Sequence, residues 1–350
     1  MNFKKYISNC DPYLIAEIGV NHENSLTLAE KIIKQAKDGG ANAVKFQTYK
    51  AETIASKFSP YYWDLKKVKD QSQYKLFKKF DKFNEEHYIK LKKICTHYKI
   101  DFLSTGFDKK SIIFLNKLVK FFKIASADLT NLMLIDEILK CKKPIMLSTG
   151  ASNLKEITKI NKYIEKKNPK IDLAILHCIL SYPTSYDDAN LGVIKLLKNK
   201  FKSRIIGYSD HTMPDESSLV LFESYKAGAM IIEKHFTLDK LKGKKGNDHF
   251  HSMDFNDFKK LRLNINLSKR IKGKSGVRNV LKCEIKSRRN ARRSMYTLGN
   301  LKKNTVISEK NIIPKRPGGG ISPIYYKKML GKKILKNLKD DYKLTWKDLK

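Results

Sequence analysis

Eight short runs rich in β-branched and aromatic residues recur through the first 240 residues, each separated from the next by a stretch with helical spacing. They are YLIAEIG, AVKFQT, DFLSTG, FFKIAS, PIMLST, LAILHC, RIIGYS and MIIEKHF. Strands alternating with amphipathic helices build a parallel sheet with helical crossovers. In SLTLAEKIIKQAKDGG, for example, Leu28, Ala29, Ile32, Ile33 and Ala36 share one face, and Gly39 and Gly40 end the helix. NLMLIDEILKC, ANLGVIKLLKNKF and DESSLVLFESYKAGA follow the same pattern. Eight β/α units favour a closed (β/α)8 TIM barrel over an open doubly wound sheet. The segment from Tyr61 to Tyr98 carries two helices' worth of residues, which predicts an insertion there.

Near Lys274 the alternation stops. The remainder has short apolar runs, the basic stretch KSRRNARRS and a Pro/Gly loop, KRPGGGISP. The expected organisation is a barrel over 1–272, a polar linker over 273–290 and a small domain over 291–350.

At 350 residues the chain can bury a large core without disulfide or metal staples. Its five cysteines, Cys10, Cys95, Cys141, Cys178 and Cys283, have no CxxC spacing and fit neither a disulfide framework nor a structural zinc cluster. A reducing cytoplasm is the expected compartment. Glu17 interrupts the only apolar run near the start, and nothing approaches the roughly 20 apolar residues of a membrane span, so a soluble, unprocessed protein without a membrane partner is expected. The net charge of +37 raises the question of a nucleic-acid partner. Lysine is spread over every expected helix and forms no stripe interleaved with stacking aromatics, which reads as a solvated surface with no specific nucleic acid; weak, salt-sensitive polyanion binding is the alternative.

In a (β/α)8 barrel the chemistry sits at the carboxyl ends of the strands. Here the strand ends deliver Glu17, Asn21 and His22; Lys45 and Gln47; Thr105 and Phe107; Lys123, Ser126 and Asp128; Ser148 and Thr149; His177 and Tyr182; Ser209, Asp210 and His211; Glu233, Lys234 and His235, followed by Asp248, His249 and His251. A lysine within an apolar strand is costly unless it meets an anion or carboxylate. Lys45 and Lys123, on different strands with serines and threonines nearby, read as a cradle for phosphate and carboxylate groups. A single strand-end histidine ordinarily makes a structural hydrogen bond. Two on adjacent strands, His211 and His235, with a carboxylate close by, form a two-imidazole metal site with open positions for water and substrate.

The segments IAEIGVNHENSLTLAEKIIKQAKDGGANAVKFQT, GYSDHT, EKHFTLD and RRSMY, with the later KRPGGGISP, lie in order along nearly the whole chain. Together they resemble the sialic acid synthase family, which makes nonulosonic acids, and the tail resembles the small antifreeze-like (SAF) domain. The resemblance implies a condensation of phosphoenolpyruvate with an open-chain N-acetylated hexose of the N-acetylmannosamine type and water, giving a nine-carbon 2-keto acid of the N-acetylneuraminate type and phosphate. It implies that His211 and His235 bind a divalent ion, Mn2+ or Mg2+, that acts on the sugar aldehyde. Lys45, Lys123, Ser126, Ser148 and Ser209 would hold phosphoenolpyruvate, and Glu17 would handle a proton or orient water. Asp128 matches a family acidic position among the catalytic residues. Gln47, Thr105, Phe107, Tyr182 and Asp248 would line the sugar or metal side. In the family the tail caps the barrel of a partner in a domain-swapped homodimer, which would bring Arg293 to the sugar's N-acetyl group.

Three positions depart from the family pattern. Asp128 stands where many members have glutamate. Leu180 stands where sialic acid synthases often have asparagine, which suits a less polar, deoxygenated sugar. GNDHFHSMD replaces a commoner GPDH-type segment, leaving His249 and His251 without a role beyond loop hydrogen bonding or metal binding. The same chemistry on a diacetamido-trideoxy hexose, giving legionaminic or pseudaminic acid, is the first alternative. The deoxy-octulosonate and deoxyheptulosonate phosphate synthases lack this tail. A basic polyanion-binding protein on a decayed barrel is the alternative of a different class.

Overall fold

The computed structural model describes the chain except residues 1–2, 4–6, 8–10, 67, 242–247, 274–275 and 277. Cys10, part of the expected linker and the start of GNDHFHSMD therefore lie outside the described residues. Two compact units are present, Met1–Gly273 and Lys274–Lys350.

The first unit is a closed barrel with strands in sequence order, each neighbouring pair parallel. The strands are β1 (Tyr13–Gly19), β2 (Ala43–Thr48), β3 (Asp101–Gly106), β4 (Phe122–Ile124), β5 (Ile145–Ser148), β6 (Leu173–Cys178), β7 (Ile205–Asp210) and β8 (Ile231–His235). All eight coincide with the apolar runs. Between β1 and β2 lies α1 (Leu26–Asp38), begun by the Ser25 side chain accepting from the Leu28 N–H. The β2–β3 connection holds α2 (Ala51–Ile54), α3 (Gln73–Phe80) and α4 (Glu85–His97), which accounts for the expected insertion. Single helices then follow β3 to β8: α5 (Lys109–Leu115), α6 (Leu132–Lys140), α7 (Leu154–Lys167), α8 (Gly192–Lys200), α9 (Leu219–Ala227) and α10 (Phe255–Lys272).

Strand side chains alternate between faces, so each strand feeds two cores. Leu14, Ala16, Val44, Phe102, Phe122, Leu147, Ile175, Ile206 and Ile232 pack outward against the helices. Tyr13, Ile15, Ala43, Leu103, Phe121, Met146, Ala174, Leu176 and Ile231 pack inward, with Phe3, as a plug. The next inward residue after the plug is polar on nearly every strand: Glu17 after Ile15, Lys45 after Ala43, Thr105 after Leu103, Lys123 after Phe121, Ser148 after Met146 and Glu233 after Ile231. On β7, Gly207 allows the close approach of its neighbours, since a Cβ there would lie 2.5 Å from the Ile231 carbonyl oxygen. The plug is therefore the floor on which the polar layer stands.

In the second unit, β9 (Ser294–Thr297) pairs antiparallel with β10 (Ile312–Lys315) over a core that includes Met295, Ile307, Ile321, Met329, Ile334 and Leu344. Part of the segment expected as linker is ordered. A 3-10 turn at Lys282–Glu284 leads into α11 (Ile285–Ala291), and Glu284 accepts from the Leu281 N–H and from Arg278.

One outward-facing ion pair joins the last two strands. Lys234 Nζ lies 2.6 Å from Asp210 Oδ2, and both side chains are almost fully buried. Removing one partner of such a pair strands the other charge at a cost of about 3–5 kcal/mol, whereas apolar replacement of both is often neutral. Asp210→Ala is expected to lower the urea midpoint of the barrel markedly, and Asp210→Leu with Lys234→Met to recover only part of the loss, because the Tyr208 hydroxyl, the Thr212 N–H and the Thr212 hydroxyl still lose their acceptor. Equal losses in the two variants would show that the cost of Asp210→Ala does not come from the stranded Lys234 charge.

Candidate active site

The barrel register sets the site. Glu17 pairs in register with Lys45 on one side and with His235 on the other, Thr105 with Lys123, and Ser209 with both Cys178 and Glu233. Residues from seven strands thus stand at adjoining levels above the plug. Lys45 Nζ lies 2.6 Å from Glu17 Oε2 and 3.8 Å from Glu233 Oε2, and donates to Thr105 Oγ1 at 2.9 Å. Lys123 Nζ lies 3.4 Å from Glu233 Oε1, which also accepts from Ser209 Oγ at 2.9 Å. Gln47 Nε2 donates to Glu17 Oε1.

Burial acts on all four charges. It works against the Lys45 ammonium, but Glu17 and Glu233 outweigh it and hold Lys45 above the ordinary lysine value. At Lys123 burial wins over the attraction of Glu233 and the pKa falls. Burial would raise Glu233, yet Lys123 and Lys45 keep it low. For Glu17 burial dominates the pull of Lys45 and pushes the carboxyl up to about 7. Glu17 is therefore poised to gain or lose a proton near neutral pH.

Above this layer opens a cavity of about 460 Å³. Its lining includes twelve of the residues singled out from sequence: Glu17, Lys45, Gln47, Phe107, Lys123, Ser126, Asp128, Ser148, Tyr182, Ser209, His211 and His235. Ser148 Oγ is buried with no hydrogen-bond partner, while Ser126 Oγ accepts from the Gly150 N–H. Asp128 sits at the end of the 3-10 turn after β4, where Asn131 donates to its carboxylate and burial raises its pKa. Thr105 supports Lys45 and does not line the cavity, and Asp248 lines an adjoining cavity instead. Arg293 is exposed in the second unit, directly before β9.

The two strand-end histidines come together as expected, with ring centroids 5.7 Å apart. His211 Nδ1 faces the Ile179 carbonyl at 2.7 Å, so in the neutral ring it carries the proton and Nε2 keeps its lone pair. His235 Nδ1 has no hydrogen-bond partner, with Asp248 Oδ2 at 3.6 Å. Burial, then the neighbouring His251 and His211, keep His235 well below the usual histidine value, hence neutral. Burial lifts the Asp248 carboxyl to about 6. Among the described residues no three His, Cys, Asp or Glu side chains converge as a ready-made metal cluster. The two imidazoles nonetheless suit a metal with open positions, since both are buried, His235 Nδ1 has no hydrogen-bond partner and His211 Nδ1 is taken by a carbonyl, which leaves Nε2 for a ligand.

Other strand-end polar residues face away. His177 stacks on Tyr208 and bonds the Ala189 carbonyl oxygen, so the inward residue of β6 is Cys178, whose thiol lies 3.8 Å from His211 Nδ1. His22 stacks on Phe83, with its pKa lowered by burial to about 4, and Asn21 bonds the Phe236 carbonyl and Ser252. Glu233, which had no assigned role, joins both lysines. The two histidines after β8 differ: His249 bonds Thr237 and lies 3.3 Å from Glu23, whereas His251 is fully buried with neither ring nitrogen hydrogen-bonded and packs 4.8 Å from His235. Loop hydrogen bonding thus describes His249 and not His251.

Residues 32–276 match the NeuB family, and residues 292–350 match the SAF domain. The N,N'-diacetyllegionaminic acid synthase of Campylobacter jejuni is 39% identical, covering 94% of this chain and 97% of its own length. That of Legionella pneumophila is 36% identical, covering 96% and 94%. The crystal structure of N-acetylneuraminic acid synthetase from Leptospira borgpetersenii in complex with citrate is similar with a TM-score of 0.67 and 31% identity, covering 79% of this chain and 90% of that one. The chain belongs to the NeuB family: it is an enzyme, a transferase of the sialic-acid-synthase type that forms nonulosonic acids, with a C-terminal SAF domain.

Proposed function

We propose that the protein condenses phosphoenolpyruvate with an open-chain 2,4-diacetamido-2,4,6-trideoxy hexose and water, giving a legionaminic-type nine-carbon 2-keto acid and phosphate. The observation that carries the first substrate is the pair of buried lysines flanked by the free Ser148 hydroxyl, an arrangement suited to a compact, highly charged anion. Lys45, Lys123, Ser126, Ser148 and Ser209 would hold its phosphate and carboxylate. The choice of sugar rests on Leu180, an apolar residue in the cavity wall, and on similarity to two relatives named as diacetyllegionaminic acid synthases. This reverses the order of the sequence-based expectation, in which the N-acetylmannosamine type stood first.

A divalent metal held by His211 and His235, with Asp248 beside them, would polarise the sugar aldehyde as a Lewis acid. Mn2+ and Mg2+ are both assigned here as candidates. The enol carbon of phosphoenolpyruvate forms the new C–C bond to the aldehyde carbon as the aldehyde C=O π bond opens and its electron pair passes to oxygen. Water adds to the carbon that bears phosphate, and the C–O bond to phosphate then breaks. Glu17, with its pKa near neutrality, takes one proton of that water, and Asp128, which lines the same cavity, takes the other as the new carbonyl forms; one proton ends on the former aldehyde oxygen, now a hydroxyl, and the other on the departing phosphate. Gln47, Phe107 and Tyr182 orient the sugar, and Thr105 fixes Lys45. Arg293 acts from the SAF domain of a partner in a swapped homodimer. The reaction takes place in the cytoplasm; no described helix is long and apolar enough to cross a membrane.

The direct test is phosphate release from phosphoenolpyruvate with Mn2+ present, comparing the diacetamido-trideoxy hexose with N-acetylmannosamine. Faster release with the former supports the proposal, equal or faster release with the latter overturns the sugar assignment, and no release with either overturns the reaction. His211→Ala and His235→Ala are each expected to abolish turnover and weaken Mn2+ binding by calorimetry, with the thermal midpoint preserved; near-wild-type rates in either would remove the metal assignment. If Glu17 works as a base it must be ionised, so kcat/KM is expected to rise with pH through about 7. Glu17→Gln should lose that limb and slow turnover by about 10²–10⁴-fold. A rate limb that persists in this variant belongs to another group.

A further inference from the structure

A second cavity, of about 120 Å³, adjoins the main one and shares Gln47, Tyr62, Phe77, Tyr182 and His235 with it. Its polar lining is Gln47, His235 and Asp248 together with tyrosine hydroxyls, and the remainder is apolar and aromatic. Most of that wall comes from the β2–β3 insertion, through Trp63, Val68, Leu76, Phe77 and Phe80. Helix α3 carries three of these residues on one side, yet none of its residues is fully buried. An amphipathic helix normally spends its apolar face on the core. Here that face borders a cavity beside the reacting centre, and the indole of Trp63 is held in place by its N–H donating to the Asp70 carbonyl at 2.9 Å.

The chemistry of the lining selects its occupant. A hydroxyl placed among these rings would exchange water for apolar contacts and lose free energy. An acetamido group brings a methyl for the aromatic wall and an amide that needs one acceptor and one donor. Gln47 uses its Nε2 on Glu17, which leaves its carbonyl oxygen to accept the amide N–H. The space suits a group of a few non-hydrogen atoms, because a water's share of liquid volume is about 30 Å³. Building on the assignment of the sugar above, we propose that this side cavity seats the 4-acetamido group of the diacetamido-trideoxy hexose, where N-acetylmannosamine has a hydroxyl. The β2–β3 insertion then determines which sugar is used, while the strand ends carry the reaction common to both.

The test fills the cavity with Leu76→Trp and enlarges it with Phe80→Ala, in the full chain, and follows phosphate release with both sugars. Leu76→Trp is expected to cut kcat/KM for the diacetamido sugar by about tenfold or more beyond its effect on N-acetylmannosamine, the scale at which a pocket discriminates small groups. Phe80→Ala should narrow the preference in the same direction through KM. Equal losses on the two sugars, or no change in their ratio, would overturn the seat. If the wild-type protein releases no phosphate with either sugar, the proposed reaction fails, and binding of each sugar to the Mn2+-loaded protein by calorimetry, in wild type and Leu76→Trp, still decides the seat. Preferential binding of the diacetamido sugar that Leu76→Trp removes supports it; binding unaffected by the substitution, or none, rules it out.

Discussion

Two almost fully buried ammonium groups sit inside the barrel, and their compensation by Glu17 and Glu233 is the constraint on which the site depends. An isolated lysine there would lose its hydration and shed its proton. The carboxylates prevent this only because four strands deliver their charges at matching levels, with Glu17 opposite Lys45 in register and Glu233 within reach of both lysines. The level is fixed from below. Tyr13, Ile15, Leu103, Phe121 and Met146 fill the barrel interior, so the polar layer cannot sink toward the other end. Packing, register and charge pairing are one arrangement, and the near-neutral Glu17 follows from it as the carboxyl whose burial its partners do not fully offset.

The fold was legible because these strands are buried on both faces and therefore appear as continuous apolar runs bounded by polar ends. Most of the site was legible for the same reason: where an apolar run stops, the barrel opens. What the ends did not reveal was phase. His177 and Cys178 are neighbours at the end of β6, and histidine draws attention as a chemical group, but the alternation starting from inward Ala174 and Leu176 turns Cys178 into the site and His177 toward Tyr208. Counting by two from a plug residue would have found this, and would also have marked Glu233, two residues after Ile231. The pairing of Glu233 with Lys45 and Lys123 was hidden because its partners lie far away in sequence. His249 and His251 differ through loop geometry that spacing alone does not encode. The expected linker was judged from its polarity, which does not distinguish an exposed helix such as α11 from irregular chain.

The surplus positive charge acquires a physical role once the interior is balanced. Within the polar layer two lysines meet two carboxylates, so the layer itself contributes little net charge when all four are ionised. The excess of +37 belongs mainly to lysines spread over the surface. A field of this sign raises the local concentration of small anions and speeds their encounter, an effect that salt screens. Recognition is then left to the few groups in the cavity.

That separation also bears on the reading of the chain as a decayed barrel kept only for binding polyanions. Surface lysines tolerate exchange with little consequence for stability, but the interior layer does not. Loss of Glu233 would leave Lys45 with one partner and Lys123 without its close carboxylate, and loss of either lysine would expose the opposite imbalance. A barrel serving only its exterior would be more stable with apolar residues at these positions, continuing the plug upward. The retained arrangement instead keeps costly charges paired, leaves the Ser148 hydroxyl without a partner, and brings neutral His235 beside His211 at the cavity wall. Such an interior makes physical sense as a site whose remaining hydrogen-bonding capacity is reserved for a ligand.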